Sequence, residues 1–155
     1  MEDLTGKPAP IFTLPDQEGK QVNIADFKGK NIVLYFYPKD MTPGCTTEAC
    51  DFRDQNSVFS AYNTVIIGIS PDSATRHQKF IEKHRLPFTL LADEEQTAAK
   101  LYGVWTLKKN FGKEYMGIER STFLINKEGI ITKEWRKVRV KGHVEETLEA
   151  VKALG

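Results

Sequence analysis

Two apolar runs constrain this chain more than anything else in it: Ile32-Val33-Leu34-Tyr35-Phe36-Tyr37 and Val65-Ile66-Ile67-Gly68-Ile69. Neither alternates apolar with polar. A strand with one wet face must alternate, because successive side chains point to opposite sides. Unbroken runs of this length are the mark of central strands covered on both faces, the arrangement of a parallel α/β core. Further β-rich pieces are Phe12 to Leu14, Gln21 to Ile24, Phe88 to Ala92, Thr122 to Ile125 and Ile130 to Trp135. Asp16-Gln17-Glu18-Gly19 and Asn126-Lys127-Glu128-Gly129 each end in glycine between such pieces, so both are expected to close antiparallel hairpins.

Helices are expected between the strands. Ser73 to His84 sets Phe80 and Ile81 on one face, and Val144, Leu148 and Val151 recur at i, i+4, i+7 near the carboxyl end. Asp93 with Gln96 has the form of a capping box, with Leu101 as the last apolar contact and Gly103 as the stop of a short helix. The 155 residues contain no linker-like tract and no internal repeat, which predicts one domain over 1–155. With 40% hydrophobic residues the chain can fill a core, so disorder, collagen and coiled coil are excluded.

A net charge of +1 offers no global field for nucleic acid or acidic lipid. Arg136-Lys137-Val138-Arg139-Val140-Lys141 is the one charge cluster, and it reads as a solvated edge strand guarded by cations. The longest apolar run, six residues, is far below the roughly 20 that a membrane-spanning helix needs. Met1 to Pro8 opens acidic, without the basic and apolar regions of a signal peptide, so a cytoplasmic location is expected. A mature chain already cleaved would read the same way.

The chemistry concentrates in Tyr37-Pro38-Lys39-Asp40-Met41-Thr42-Pro43-Gly44-Cys45-Thr46-Thr47-Glu48-Ala49-Cys50, directly after a central strand. Thr42 is a good N-cap and Pro43 suits the first helical position. Cys45 then falls in the first turn, where unpaired N–H groups and the helix dipole favour a thiolate. Cys50 lies five residues on. In an unbroken helix that spacing separates the two Cα atoms by roughly 8.6 Å, beyond the ~7 Å a disulfide tolerates. A bond between them requires local unwinding, which suits a transient intermediate better than a staple.

Other readings remain open from the residues alone. Two cysteines on one helix also fit inert core thiols. A zinc site fits poorly, because His77, His84 and His143 are remote from the cysteines in sequence. Glu48 by itself reads as a solvated helix residue, and Arg120 as a surface charge. Trp105 and Tyr115 read as core or cleft wall. No glycine-rich phosphate motif and no haem, flavin or nicotinamide signature is present, so no cofactor is expected.

The run Pro38, Thr42, Cys45 resembles the Pro-x-x-x-Thr-x-x-Cys signature of the peroxiredoxins. The surrounding Leu34 to Asp40 and Glu48-Ala49-Cys50-Asp51-Phe52 are similar to the PrxQ, or bacterioferritin comigratory protein, subfamily. Further matches extend from Gly6-Lys7-Pro8-Ala9-Pro10 to Gly117-Ile118-Glu119-Arg120-Ser121-Thr122. The resemblance implies a thioredoxin-like α/β fold, a central mixed sheet with helices on both faces and an N-terminal β-hairpin. It implies a thiol peroxidase acting on hydrogen peroxide and organic hydroperoxides. In that scheme Cys45 is the peroxidatic nucleophile, Cys50 resolves through an intramolecular disulfide, and thioredoxin or a similar dithiol recycles it. Arg120 and Thr42 would donate to the departing oxygen, Pro38 would wall the sulfur from water, and Glu48 would hold Arg120. Resolution within one chain implies a monomer. A redox sensor using the same switch is the second reading. A general disulfide oxidoreductase is disfavoured, because its cysteines have two residues between them rather than four.

Overall fold

The computed structural model describes residues 3–154, so Met1 and Glu2 of the acidic opening lie outside the described residues. Both long apolar runs are strands, β3 (Asn31–Phe36) and β4 (Thr64–Ser70). They pair in parallel, and β4 pairs in parallel with β5 (Thr89–Ala92). On its other side β3 meets β8 (Ser121–Ile125) antiparallel, and β8 meets β9 (Ile131–Trp135) antiparallel. The sheet order is therefore β5-β4-β3-β8-β9, a mixed sheet.

Along β3 the side chains divide between two cores. Ile32, Leu34 and Phe36 enter one, and Val33 and Tyr35 enter the other, continued by Tyr37. The second core is roofed by α1 (Pro43–Ala61), α2 (Ala74–His84) and α4 (His143–Ala153). Two successive crossovers, β3-α1-β4 and β4-α2-β5, step in the same direction across the sheet. Right-handed crossovers then place both helices on one face. The opposite core is closed by α3 (Thr97–Leu101) and by the N-terminal hairpin of β1 (Thr13–Pro15) and β2 (Gln21–Asn23). Helices do lie on both faces, α1, α2 and α4 on one and α3 with the short 3-10 helix Ile24–Phe27 on the other. Gly19 and Gly129 close the two expected hairpin loops with positive φ, 80° and 85°.

Three expectations need correction. Asp93 does cap α3, accepting from Ala98 N and Ala99 N at 3.2 and 2.9 Å. The helix begins only after Gln96, which is itself the N-cap and carries no cap bond from its side chain. Leu101 is half exposed, and the inward contacts come from Ala98, Ala99 and Tyr102. The basic cluster is not an edge strand, since β9 ends at Trp135. Arg136 instead lies over the Phe123 ring and donates to the carbonyls of Gly103 and Tyr102, pinning the segment after β9 to the loop after α3.

A protruding ribbon escaped the pattern reading: β6 (Trp105–Asn110) pairs antiparallel with β7 (Lys113–Ile118). Its turn residues Phe111 and Gly112 both have positive φ, the geometry of a two-residue primed turn. Lys108, Lys109, Lys113 and Glu114 obscure the alternation on which strand recognition depends. Among the described residues, no helix is long and apolar enough to cross a membrane.

Gly68 shows how closely the face toward α1 is packed. A Cβ there would stand 2.7 Å from Leu90 Cδ2 and 2.9 Å from the Tyr35 ring. Gly68→Ala is expected to destabilise the fold by roughly 1–3 kcal/mol through overpacking. Chemical denaturation should show this as a lowered midpoint, and an unchanged midpoint would mean that Tyr35 has room to yield.

Candidate active site

Strand β3 ends at Phe36, and Tyr37 continues it by one hydrogen bond to Ile69 O. Five residues later the chain enters α1 at Thr42, in extended conformation, with Pro43 in the first turn as expected. The first bond of the helix is Thr46 N to Thr42 O, 2.8 Å, which leaves the N–H groups of Gly44 and Cys45 without helical partners. Cys45 sits in this turn, 2% exposed. Its sulfur lies under the positive end of a 19-residue helix.

Arg120 reaches the same point from the other side of β3. Because β8 runs antiparallel to β3, with Ser121 opposite Phe36, the residue before β8 must lie at the end of β3 where α1 begins. Its backbone is held by Val138 N, which donates to Arg120 O at 2.9 Å. The guanidinium then donates to Cys45 Sγ through Nη2 at 3.3 Å and to Glu48 Oε1 through Nη1 at 2.6 Å. Gly44 leaves room beside it: a Cβ there would stand 3.3 Å from Nη2, so the guanidinium would have to give by a few tenths of an ångström. The three residues that only the resemblance had linked are thus in one hydrogen-bonded chain. Glu48 is fully buried rather than solvated, being one turn on from Cys45 on the inward face.

Burial pushes the Glu48 carboxyl up to about 7, against the pull of Arg120, and its second oxygen has no hydrogen-bond partner. For Arg120, burial works against the charge, but Glu48 and Cys45 outweigh it and hold the guanidinium above its ordinary range. Because burial disfavours its ionised form, Glu48 counters the arginine's charge less than an exposed carboxylate would. Positive charge therefore remains beside the sulfur.

Thr42 departs from expectation in detail. It occupies the N-cap position but makes no side-chain cap bond, and its hydroxyl donates to Lys39 O at 2.9 Å. Its hydrogen is committed to the backbone, so as placed it offers a ligand only lone pairs. Pro38 is half-buried on the loop between β3 and α1.

Cys50 lies in unbroken helix, half-buried, and both thiols are free. Sequence separation had set the histidines apart from the cysteines, yet α2 brings His84 Nδ1 to 4.0 Å from Cys50 Sγ. Arg53 Nη1 donates to His84 O at 2.8 Å beside this contact. To approach Cys45, Cys50 must leave both the helix and this neighbour. The β6–β7 ribbon adds a cleft wall at Arg120, with Leu107, Lys108 and Tyr115 on one side and Val138 on the other. Tyr115, half exposed, is wall and not core. Lys108 is held below its ordinary range by partial burial and by Arg120.

The raised Glu48 carboxyl has a measurable consequence. An acid whose folded value exceeds its unfolded value contributes stability that is full at low pH and lost as pH rises through the folded value. Between pH 4.5 and 8, the protein should lose roughly 3 kcal/mol of stability relative to Glu48→Gln. Denaturation of both reduced proteins across that range checks it, and parallel curves would contradict it.

Residues 5–134 match the AhpC/TSA family. The chain is 63% identical to peroxiredoxin Bcp of Bacillus subtilis over 147 residues, 95% of this chain and 94% of that one. A solved peroxiredoxin Q of Xanthomonas campestris superposes with TM-score 0.88 at 40% identity, over 92% of this chain and 90% of the other. Peroxidoxin BcpB of Mycobacterium tuberculosis superposes with the same score at 33% identity, over 99% of each chain. A bacterioferritin comigratory protein of Xanthomonas campestris, described for its alkyl peroxide reduction activity, is 39% identical with TM-score 0.89, over 92% of this chain and 91% of that one.

Proposed function

The chain belongs to the AhpC/TSA family, in its peroxiredoxin Bcp and Q branch, and we propose that within it Cys45 is the peroxidatic nucleophile and Cys50 the resolving thiol. As a member it is a thiol-dependent peroxidase that reduces hydrogen peroxide and organic hydroperoxides at the expense of a thiol reductant. The observation that carries the assignment is the 3.3 Å hydrogen bond from Arg120 to Cys45 Sγ at the first turn of α1.

In the first step the Cys45 thiolate attacks a peroxide oxygen. The S–O bond forms, the O–O bond breaks, and the departing alkoxide or hydroxide takes a proton to leave as alcohol or water. The Arg120 guanidinium and the free N–H groups of the helix turn stand where negative charge moves from sulfur to oxygen. Glu48 fixes the direction of Arg120 through a charge-assisted bond. Pro38, without an N–H, limits water at the sulfur, and the Thr42 hydroxyl can accept from the peroxide O–H.

In the second step the middle of α1 unwinds and Cys50 gives up its proton. Its thiolate attacks Cys45 Sγ, so that the S–S bond forms, the S–O bond breaks, and the hydroxide leaves as water with that proton. An external dithiol then reduces the disulfide through a mixed disulfide, restoring both thiols with two electrons. We assign this role to thioredoxin, in the cytoplasm, and the enzyme to a monomeric single domain, because resolution within one chain needs no second copy.

Peroxide consumption coupled to thioredoxin, its reductase and a nicotinamide reductant tests this reading. Cys45→Ser should lose all turnover, whereas Cys50→Ser should consume one equivalent of peroxide and stop. Turnover by Cys45→Ser would remove the nucleophile assignment, and steady turnover by Cys50→Ser would mean that another thiol resolves. Arg120→Ala should slow the peroxide step by about 3 kcal/mol in barrier, the scale of one lost oxyanion-type donor. Stopped-flow oxidation at the parental rate would place Arg120 outside the reacting centre.

A further inference from the structure

The loop that delivers Cys45 is held from behind by a buried polar network to which the chemistry above gives no role. Asp40 is 1% exposed, and His77, on α2, is fully buried. His77 Nδ1 lies 2.6 Å from Asp40 Oδ2, and His77 Nε2 lies 2.9 Å from Leu91 O. A carbonyl can only accept, so Nε2 carries a hydrogen, and the contact with a carboxylate oxygen requires a second proton between Nδ1 and Oδ2. Tyr37 Oη donates to the other carboxylate oxygen at 2.5 Å. The backbone of Asp40 is held as well: its N–H donates to Asp72 Oδ2 at 2.7 Å, and its carbonyl accepts from Arg76 Nη2 at 3.1 Å.

These contacts converge on Asp40, two residues before the helix N-cap. Between them and Thr42 stands Met41, whose φ of 65° puts a non-glycine residue in the left-handed region. Such a conformation is strained for a residue with a Cβ and persists only where its surroundings over-determine it. Asp40 supplies the fixed point on one side, and the Thr42-to-Lys39 bond closes the turn on the other. A buried polar pair is a weak source of stability compared with apolar packing of the same volume, whereas it defines one geometry sharply.

We propose that Asp40 and His77 are positioning residues for Cys45: the proton they hold locks the 38–42 loop to α2 and thereby sets where the first turn of α1 stands relative to Arg120. Arg76 and Tyr37 complete the lock. This rests on the reading of Cys45 as the nucleophile.

The test uses the full chain in a Cys50→Ser background, so that Cys45 is the single thiol. His77→Leu removes both donors, and His77→Asn restores an N–H toward Asp40. His77→Leu should lower the second-order rate with hydrogen peroxide about tenfold or more, while alkylation of Cys45 by iodoacetamide, which needs no aligned donors, changes less than about twofold. His77→Asn should recover most of the peroxide rate. A folded His77→Leu protein with the parental peroxide rate, a fall in both rates alike, or no recovery with asparagine would overturn the proposal. Should His77→Leu fail to fold, Tyr37→Phe and Arg76→Ala carry the test, the latter at a side chain 45% exposed. A loss of about threefold in peroxide rate with unchanged alkylation supports the lock, and parental rates in both variants overturn it. Mass mapping of the sulfenic acid in the parent separates the two readings. Oxidation anywhere but Cys45 removes the nucleophile assignment and this proposal with it, whereas oxidation at Cys45 with an indifferent His77 removes only the lock.

Discussion

Everything in this molecule is referenced to one strand buried on both faces. Once β3 is walled by two cores, its pairing partners follow, since each of its backbone groups must be satisfied within the sheet. Parallel pairing with β4 forces a helical crossover, so a helix must start near the end of β3. Antiparallel pairing with β8 requires the chain to enter β8 at that same end. The first turn of α1 and the residue ahead of β8 therefore meet as a consequence of two pairings, and they bring Cys45 and Arg120 with them.

What the meeting accomplishes depends on charge held where water is scarce. Arg120 stands between an acidic partner and a sulfur, with a side chain only 17% exposed. Were Glu48 fully ionised at neutral pH, the guanidinium would be neutralised by its own anchor. Burial of Glu48 works against this by making its ionisation costly, so the carboxyl that orients the arginine is a weaker counter-ion to it than an exposed one would be. A helix provides the second source of positive potential, and neither source needs a metal or a cofactor to act on sulfur.

The fold was legible in the sequence wherever burial is two-sided or periodic. The unbroken runs of β3 and β4, the glycine-closed hairpins and the i, i+4, i+7 face of α4 all carry patterns that hydrophobic burial alone imposes. Legibility failed where polar residues do structural work. The β6–β7 ribbon is too wet to alternate, Arg136 caps carbonyls through a long side chain that a charge count reads as solvent-facing, and α3 is capped from outside its own first turn. In the candidate site, Cys45 was legible from local helix-start chemistry. Glu48 and Arg120 came from resemblance alone. The Asp40–His77 contact was not seen at all, although His77 stands three residues before buried Phe80 on the inward face of α2.

The sequence by itself determined that this chain builds a sheet with two covered faces and that a cysteine stands at a helix start just beyond a central strand. Those features depend on neighbours within a few residues, where turn chemistry and periodicity act directly. Only the tertiary structure decided what surrounds that cysteine. Arg120 is 75 residues away and His77 is 37 from Asp40, and contacts so distant arise from strand order and crossover handedness rather than from any local preference. The sulfur's reactivity draws on both, because the helix start beside Cys45 supplies free N–H groups locally, whereas the Arg120 guanidinium reaches the sulfur only through the fold.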